Sequence, residues 1–290
     1  MATREVRVGD RSLTVHDHGA PDGPAILYHH GSPSTGLPFP PWIDDVVARG
    51  ARLVSYDRPG YGASIAARDR KVADAAADSA AIMDALGVER FVTWGVSGGG
   101  PHAIACAALL GDRVAAAASL GGVAPFDAPG LNYFRGMGDE NIAEFGLTMA
   151  GREYIEPLAE RVGAEMASAR PDQLVESIAT LVSDVDREVL DGAIGEWWSE
   201  CLQVAFTNGA AGWVDDDFAF LWPFGFDVAA ISAPMLIVHG VQDRFVPVDH
   251  GRWLAGAIPG AEAWIDDDEG HLTLMVNRVG DVHDWLLAHM

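Results

Sequence analysis

Cysteine is scarce: there are two in 290 residues, Cys106 and Cys201, far apart in the chain. A disulfide framework or a cysteine-built zinc knot needs several closely spaced thiols, so both are excluded. The two thiols are expected to be buried and without catalytic duty. Positive charge is also short, with 19 Lys+Arg against 42 Asp+Glu and a formal charge of −23. A chain this acidic cannot neutralise phosphates by counterion release, which excludes nucleic acid as the main partner. No apolar run reaches the ~18 residues of a membrane span. The stretch from Met1 to Val15 has no basic segment followed by an apolar one, so no secretory signal is expected. What is present is 49% hydrophobic residues with 9% aromatics, ample for a packed core. A soluble, cytoplasmic globular protein is the expectation.

Two styles of sequence alternate. From Glu5 to Val123, short apolar runs bounded by Gly, Pro and Asp read as strands: Arg4–Val8, Ser12–Asp17, Ala25–Tyr28, Arg52–Tyr56, Phe91–Val96 and Ala115–Leu120. Helical patterns lie between them at Val72–Leu86 and Gly99–Leu109. Strands that are apolar throughout and linked by helices predict a parallel sheet covered on both faces. The first pair, broken at Gly9-Asp10, predicts an antiparallel hairpin. Residues 127–228 carry no alternating strand pattern, only helical stretches rich in acids, with Trp197, Trp198, Trp213 and Trp222 among them. Strand and helix patterns then resume: Met235–Val238, Pro247–Ala257, Ala263–Ile265 and a closing helix over Leu272–His289. The prediction is an α/β core domain formed by residues 1–126 and 229–290, interrupted by a helical insertion at 127–228.

The chemistry-bearing residues sit at strand ends. Gly95, Ser97 and Gly99 form G-x-S-x-G between the strand Phe91–Val96 and an alanine-rich helix. In that strand–turn–helix setting a strained turn projects the serine hydroxyl, and the glycines let strand and helix approach closely. A nucleophilic serine needs a base, and the base needs an orienting acid. Asp243 follows the strand Met235–Val238, and His271 follows the last strand, giving candidates in the order Ser, acid, His. His239 ends a strand and is expected to pack, while His250, His283 and His289 lie in helical patterns. His102, about one and a half turns beyond Ser97, is expected under or beside the site. An acyl-transfer site also needs two N–H donors for the tetrahedral oxyanion. Gly98, next after the serine, supplies one, and Ser32 in His30-Gly31-Ser32-Pro33 supplies the other.

These segments resemble the α/β-hydrolase superfamily, in particular its capped hydrolases. The matching stretches are His30–Pro33, Tyr56–Ser64, Gly95–Gly99, His239–Asp243 and Gly270-His271, in order and spacing across nearly the whole sheet domain. The resemblance implies a mostly parallel sheet flanked by helices with an inserted helical cap over 127–228 that sets substrate choice. It implies Ser97 as nucleophile, His271 as general base then acid, Asp243 as orienter, and a mainly structural role for Asp57–Ser64. It implies no cofactor and no metal; Asp266–Glu269 lacks the alternating spacing of a calcium loop and reads as a solvated turn. Serine at the nucleophile position departs from haloalkane dehalogenases and epoxide hydrolases, which attack with a carboxylate. Val96 and Gly98 stand where carbon–carbon bond hydrolases usually carry Asn and Met.

The expected activity is cleavage of a carboxylic ester or lactone through an acyl-enzyme. The alternatives are a carbon–carbon bond hydrolase or a cofactor-free haloperoxidase or perhydrolase on the same residues, and a non-catalytic small-molecule receptor. Of the −23 charge, −15 belongs to residues 127–228, which hold 20 acids and 5 Arg. As a rim over the pocket these acids would favour a neutral or cationic small-molecule substrate over an anionic one. As an exposed helix face they would serve solubility alone. The tryptophans likewise either line a pocket or pin the insertion onto the sheet.

Overall fold

The structure, a computed structural model, describes residues 2–290. The chain opens with the hairpin β1 (Ala2–Val8) and β2 (Arg11–Gly19), continues through β3 (Ala25–His29) and helix α1 (Pro40–Ala48) to β4 (Arg52–Tyr56), then α2 (Asp74–Ala85), β5 (Phe91–Val96), α3 (Gly100–Leu109) and β6 (Val114–Leu120). Six helices follow: α4 (Asp139–Ala150), α5 (Arg152–Ser168), α6 (Pro171–Ser177), α7 (Asp184–Leu190), α8 (Ala193–Ala205) and α9 (Ala211–Leu221). The chain then returns to the sheet with β7 (Met235–Gly240), α10 (Val248–Ala257), β8 (Glu262–Asp266), α11 (Leu272–Asn277) and α12 (Val279–Leu287). Among the described residues, 127–228 contain no strand, as their lack of alternation predicts.

The eight strands form one sheet in the order β1-β2-β4-β3-β5-β6-β7-β8. β1 and β2 run antiparallel, as do β2 and β4; every later pair is parallel. Side chains alternate between two cores. Ile26, Tyr28, Trp94, Leu236 and Val238 pack on one face, with α1, α11 and α12. Leu27, Val54, Met235 and Ile237 pack on the other, with α2, α3 and α10. Strands covered on both faces have no polar side, which is why they read as unbroken apolar runs. Each fully buried Leu or Ile contributes about 2 kcal/mol relative to exposure.

The topology fixes where a ligand can sit. The chain leaves β3 toward β4 on one side, then re-enters at β5 on the other. That reversal opens a crevice at the carboxyl ends of β3 and β5, the usual binding position of an open α/β sheet.

One predicted element is corrected. The closing helix is two helices, α11 and α12, rather than one over Leu272–His289. Arg278 between them leaves the usual helical φ at −112°. Its guanidinium reaches back to Asp266, and the last helix restarts at Val279, laying Val279, Val282 and Leu286 on the sheet. The Asp266–Glu269 turn is therefore less solvated than expected: Asp266 pairs with Arg278, and Glu269 is buried against Asn277. Among the described residues, no helix is long and apolar enough to cross a membrane.

Candidate active site

Ser97 stands at the carboxyl end of β5 with φ of 54°, a left-handed conformation that non-glycine residues rarely adopt. The turn is that tight because β5, β3 and α3 converge there. A β-carbon on Gly99 would overlap the backbone oxygens of His29 and His30. Both Gly95 and Gly99 are thus required by close approach, as the motif predicts.

His271 and Asp243 meet although 28 residues separate them. His271 Nδ1 donates to Asp243 Oδ2 at 2.6 Å, while Asp243 Oδ1 accepts the Val246 backbone N–H at 2.8 Å. Donation from Nδ1 leaves Nε2 of the neutral ring as an acceptor. Burial alone would depress the His271 pKa, but the Asp243 charge and hydrogen bond, helped by the Asp186 charge, hold it above its ordinary value of 6.5. Phe245 stacks on the imidazole, with ring centroids 4.7 Å apart and planes 21° from parallel. Ser97 and His271 line one small cavity, together with Tyr28, Trp197, Phe245 and Met275. Among the described residues no hydrogen bond joins Ser97 Oγ to His271 Nε2. Such contacts commonly tighten only once a carbonyl is bound.

Ser32 and Gly98 face each other across the crevice: a β-carbon on Gly98 would lie 2.9 Å from Ser32 Cβ. Behind Ser32 lies a buried polar chain. The Ser32 and Tyr61 hydroxyls are 2.8 Å apart, and Tyr61 donates to Asp216 Oδ2 at 2.7 Å. Tyrosine has one hydroxyl proton, so Ser32 must be the donor to Tyr61. Arg58 joins Asp216 at 2.6 Å, donates to the Gly31 carbonyl at 2.9 Å, and also donates to the His30 carbonyl. Arg70 closes the cluster at 2.6 Å from Asp216 Oδ1. Burial opposes the Asp216 charge, yet Arg58 and Arg70 hold its carboxyl well below the usual range. His30 accepts from the Arg58 backbone N–H at Nε2 and donates from Nδ1 to the Gly31 carbonyl. Burial and the Arg58 charge push its pKa well down, so that ring is neutral.

Ser32, Ser97 and Gly98 also open onto a larger cavity of about 280 Å³ beneath α4, α5 and α9. Its wall is largely apolar, with Met137, Phe145, Trp198, Trp213, Phe220 and Phe245. Its ionisable lining is acidic: Glu140, Glu144 and Asp217, with no Arg, Lys or His among the described lining residues. Glu144 and Asp217 share a hydrogen bond, and Trp213 Nε1 donates to Glu144 at 2.6 Å. Burial, then the facing Glu144 charge, raises the Asp217 carboxyl well above the ordinary range. Burial raises Glu144 as well.

The acids in 127–228 divide: most of those described, Asp127, Glu153, Glu165 and Glu200 among them, are exposed, as a solvated helix face expects, and four are buried. Asp186, Asp215, Asp216 and Asp217 are all buried, because partners elsewhere in the fold hold them. No local signal distinguishes them: three consecutive helical residues such as Asp215–Asp217 span about 200°, which a helix burying a ~100° stripe can leave to water. The tryptophans divide. Trp198 and Trp213 line the cavity, whereas Trp197 packs on Phe39 and Trp42 and pins α8 to the sheet side. His102 is buried below the turn, with Nδ1 2.8 Å from the Gly98 carbonyl, and His239 packs with Nε2 2.7 Å from the Val246 carbonyl. Both cysteines are buried free thiols, and burial pushes Cys106 up to about 12.

The family model for the alpha/beta hydrolase fold matches residues 24–278. A 2-hydroxy-6-oxononadienedioate/2-hydroxy-6-oxononatrienedioate hydrolase of Klebsiella pneumoniae is 30% identical over 275 residues, covering 91% of this chain and 86% of that protein. A non-heme haloperoxidase of Rhodococcus erythropolis is 27% identical, covering 78% of this chain and 77% of its own. Among solved structures, a bromoperoxidase from Bacillus anthracis superposes with a TM-score of 0.72 at 20% identity, covering 99% of this chain and all of that one. At that identity the likeness concerns the fold.

Proposed function

The chain belongs to the alpha/beta hydrolase family, and we propose that within it the protein is a serine hydrolase of neutral or cationic carboxylic esters or lactones. The observation that carries this reading is the Asp243–His271 hydrogen bond set beside Ser97, whose strained φ projects it into the same cavity. In the mechanism, Ser97 Oγ bonds to the substrate carbonyl carbon while His271 Nε2 takes its proton. Asp243 keeps Nδ1 protonated and stabilises the imidazolium. The Ser32 and Gly98 N–H groups hold the oxyanion, an arrangement commonly worth about 3–4 kcal/mol per donor. Collapse expels the alcohol, which takes the proton from His271. Water then repeats the sequence on the acyl-enzyme and releases the acid.

Residues 127–228 act in this account as a cap on a core made of 1–126 and 229–290. The cap supplies Glu140, Glu144 and Asp217 to the cavity wall. Asp217 is held protonated against Glu144, so the wall is less negative than three carboxylates, but a carboxylate on the substrate would still face acids with no basic partner. That argues for ester or lactone chemistry over cleavage of a dioate.

A second reading is carbon–carbon bond hydrolysis on the same residues, favoured by 30% identity to the Klebsiella protein along 91% of this chain. Haloperoxidase or perhydrolase chemistry, suggested by the Rhodococcus relative, would further require peroxide. One assay separates them: p-nitrophenyl esters of short acids, a dienedioate, and peroxide with a halide are offered to wild type and Ser97→Ala. Ester turnover that disappears in Ser97→Ala supports the first reading. Turnover of the dienedioate alone would replace it.

A further inference from the structure

A carboxylate from the helical segment holds the loop of the candidate base. Asp186 lies in α7, 85 residues before His271 in sequence, and is fully buried. Its Oδ2 accepts the His271 backbone N–H at 3.0 Å and the Ser183 hydroxyl at 2.7 Å. Its Oδ1 accepts the N–H groups of Leu272 and Thr273 at 2.7 and 3.1 Å. A carboxylate offers about four lone-pair sites, and these four donors fill them. The fit is close enough to dictate the neighbouring residue: a β-carbon on Gly270 would overlap the Asp186 carboxylate.

We propose that Asp186 is a positioning residue for His271: it fixes the backbone on which the imidazole stands and adds a second negative charge near it. This rests on the serine hydrolase reading for its consequence in catalysis, though not for its geometry. Three consecutive N–H groups at 271–273 have one common acceptor, and each left orphaned in a buried loop carries a substantial penalty. The loop therefore has one low-energy conformation only while α7 is docked. A shift of the imidazole by a fraction of an ångström from Ser97 is enough to slow proton transfer strongly.

The charge matters separately from the geometry. When His271 takes the serine proton, the imidazolium is neutralised directly by Asp243 and at longer range by Asp186. The other titratable groups around it are His239, whose burial keeps it neutral near pH 7, and Glu269, tied to Asn277. Neither supplies a substitute for the Asp186 charge in contact with the loop backbone. Asp186 thus couples the docking of the helical segment to the geometry and basicity of the histidine.

The test uses Asp186→Asn, nearly isosteric and able to accept at one atom only. Two readouts need no substrate: the titration of the His271 ring by NMR and the hydrogen exchange of amides 271–273. The ring midpoint is expected to fall, because removing an anion disfavours the imidazolium, and exchange at 271–273 is expected to accelerate. With an ester substrate, the acid limb of kcat/KM moves to lower pH in parallel, while the plateau of kcat falls about ten- to hundredfold with little change in KM. A ring midpoint and amide protection both equal to wild type would overturn the proposal. Should Asp186→Asn fail to fold, Ser183→Ala keeps the charge and removes one of its hydrogen bonds. Faster exchange at 271–273 without a shift of the ring midpoint is expected there, and unchanged exchange would overturn the proposal. If wild type turns over no ester while the ring and amide effects hold, it is the hydrolase reading that fails.

Discussion

The Tyr61 hydroxyl donates to Asp216 Oδ2 across 2.7 Å, joining a core loop to α9 in the helical segment. Arg58 and Arg70 complete the link, and Arg58 also grips the carbonyls at 30 and 31 immediately before the Ser32 N–H. Removing the Asp216 charge would leave two guanidinium groups buried without their anion. Breaking a buried pair in this way is destabilising by about 3–5 kcal/mol. Asp216→Asn is expected to lower the urea midpoint accordingly and to reduce kcat, as the loop carrying Ser32 loosens. A loss below ~1 kcal/mol would mean that the cluster is screened by water.

Activity should rise with pH as His271 loses its proton. Because the Asp243 charge and hydrogen bond outweigh burial, the midpoint of kcat/KM is expected above the ordinary 6.5. The same shift has a stability consequence. A folded pKa above the unfolded one contributes stability fully below the unfolded value, and that contribution is lost as pH rises through the folded value. An acid-limb midpoint below 6.5 in the pH–rate profile would contradict this assignment of the base.

Asp243→Asn exchanges an acceptor for an amide that can orient the wrong imidazole tautomer. Turnover of p-nitrophenyl esters is expected to fall by about 10⁴-fold with modest change in KM. Near-normal turnover would reassign the acid.

Asp217 gives an independent check on the cavity wall. Burial and the facing Glu144 keep it protonated well above the usual carboxylate range. The folded protein therefore retains a proton that the unfolded chain releases above about pH 4, and stability falls as pH rises. Asp217→Asn removes that loss. The variant is expected to be more stable than wild type at pH 8, with the difference shrinking toward pH 4, in urea titrations at both values. A variant less stable at pH 8 would contradict the placement of these carboxyls.

The wall also predicts substrate charge. Among p-nitrophenyl esters of matched length, one ending in a carboxylate is expected to be at least about tenfold poorer in kcat/KM than its neutral or ammonium counterparts. The gap should narrow with salt if it is a rim effect and persist if it arises within the cavity. Preference for the carboxylate ester would contradict the proposed substrate class.

The sequence made Ser97, Asp243 and His271 legible because each follows a strand by a few residues, and strands buried on both faces announce themselves as apolar runs. Ser32 and Gly98 followed from the need for paired N–H donors beside a serine. Asp186 and Asp216 were not legible in that way. Their partners lie 85 and 158 residues away, and no local pattern tells a solvated acid from one that will be clasped by another element. The break at Arg278 was hidden because the apolar periodicity through Leu272, Met275, Val279, Val282 and Leu286 continues unbroken across it.

Everything proposed for the site turns on Ser97 being the activated nucleophile. Peptide mass mapping after incubation with a fluorophosphonate tests it most directly. One adduct is expected, on the peptide containing Ser97, forming faster as pH rises through the His271 titration and absent in Ser97→Ala. An unlabelled wild type, or an adduct that persists in Ser97→Ala, would contradict it.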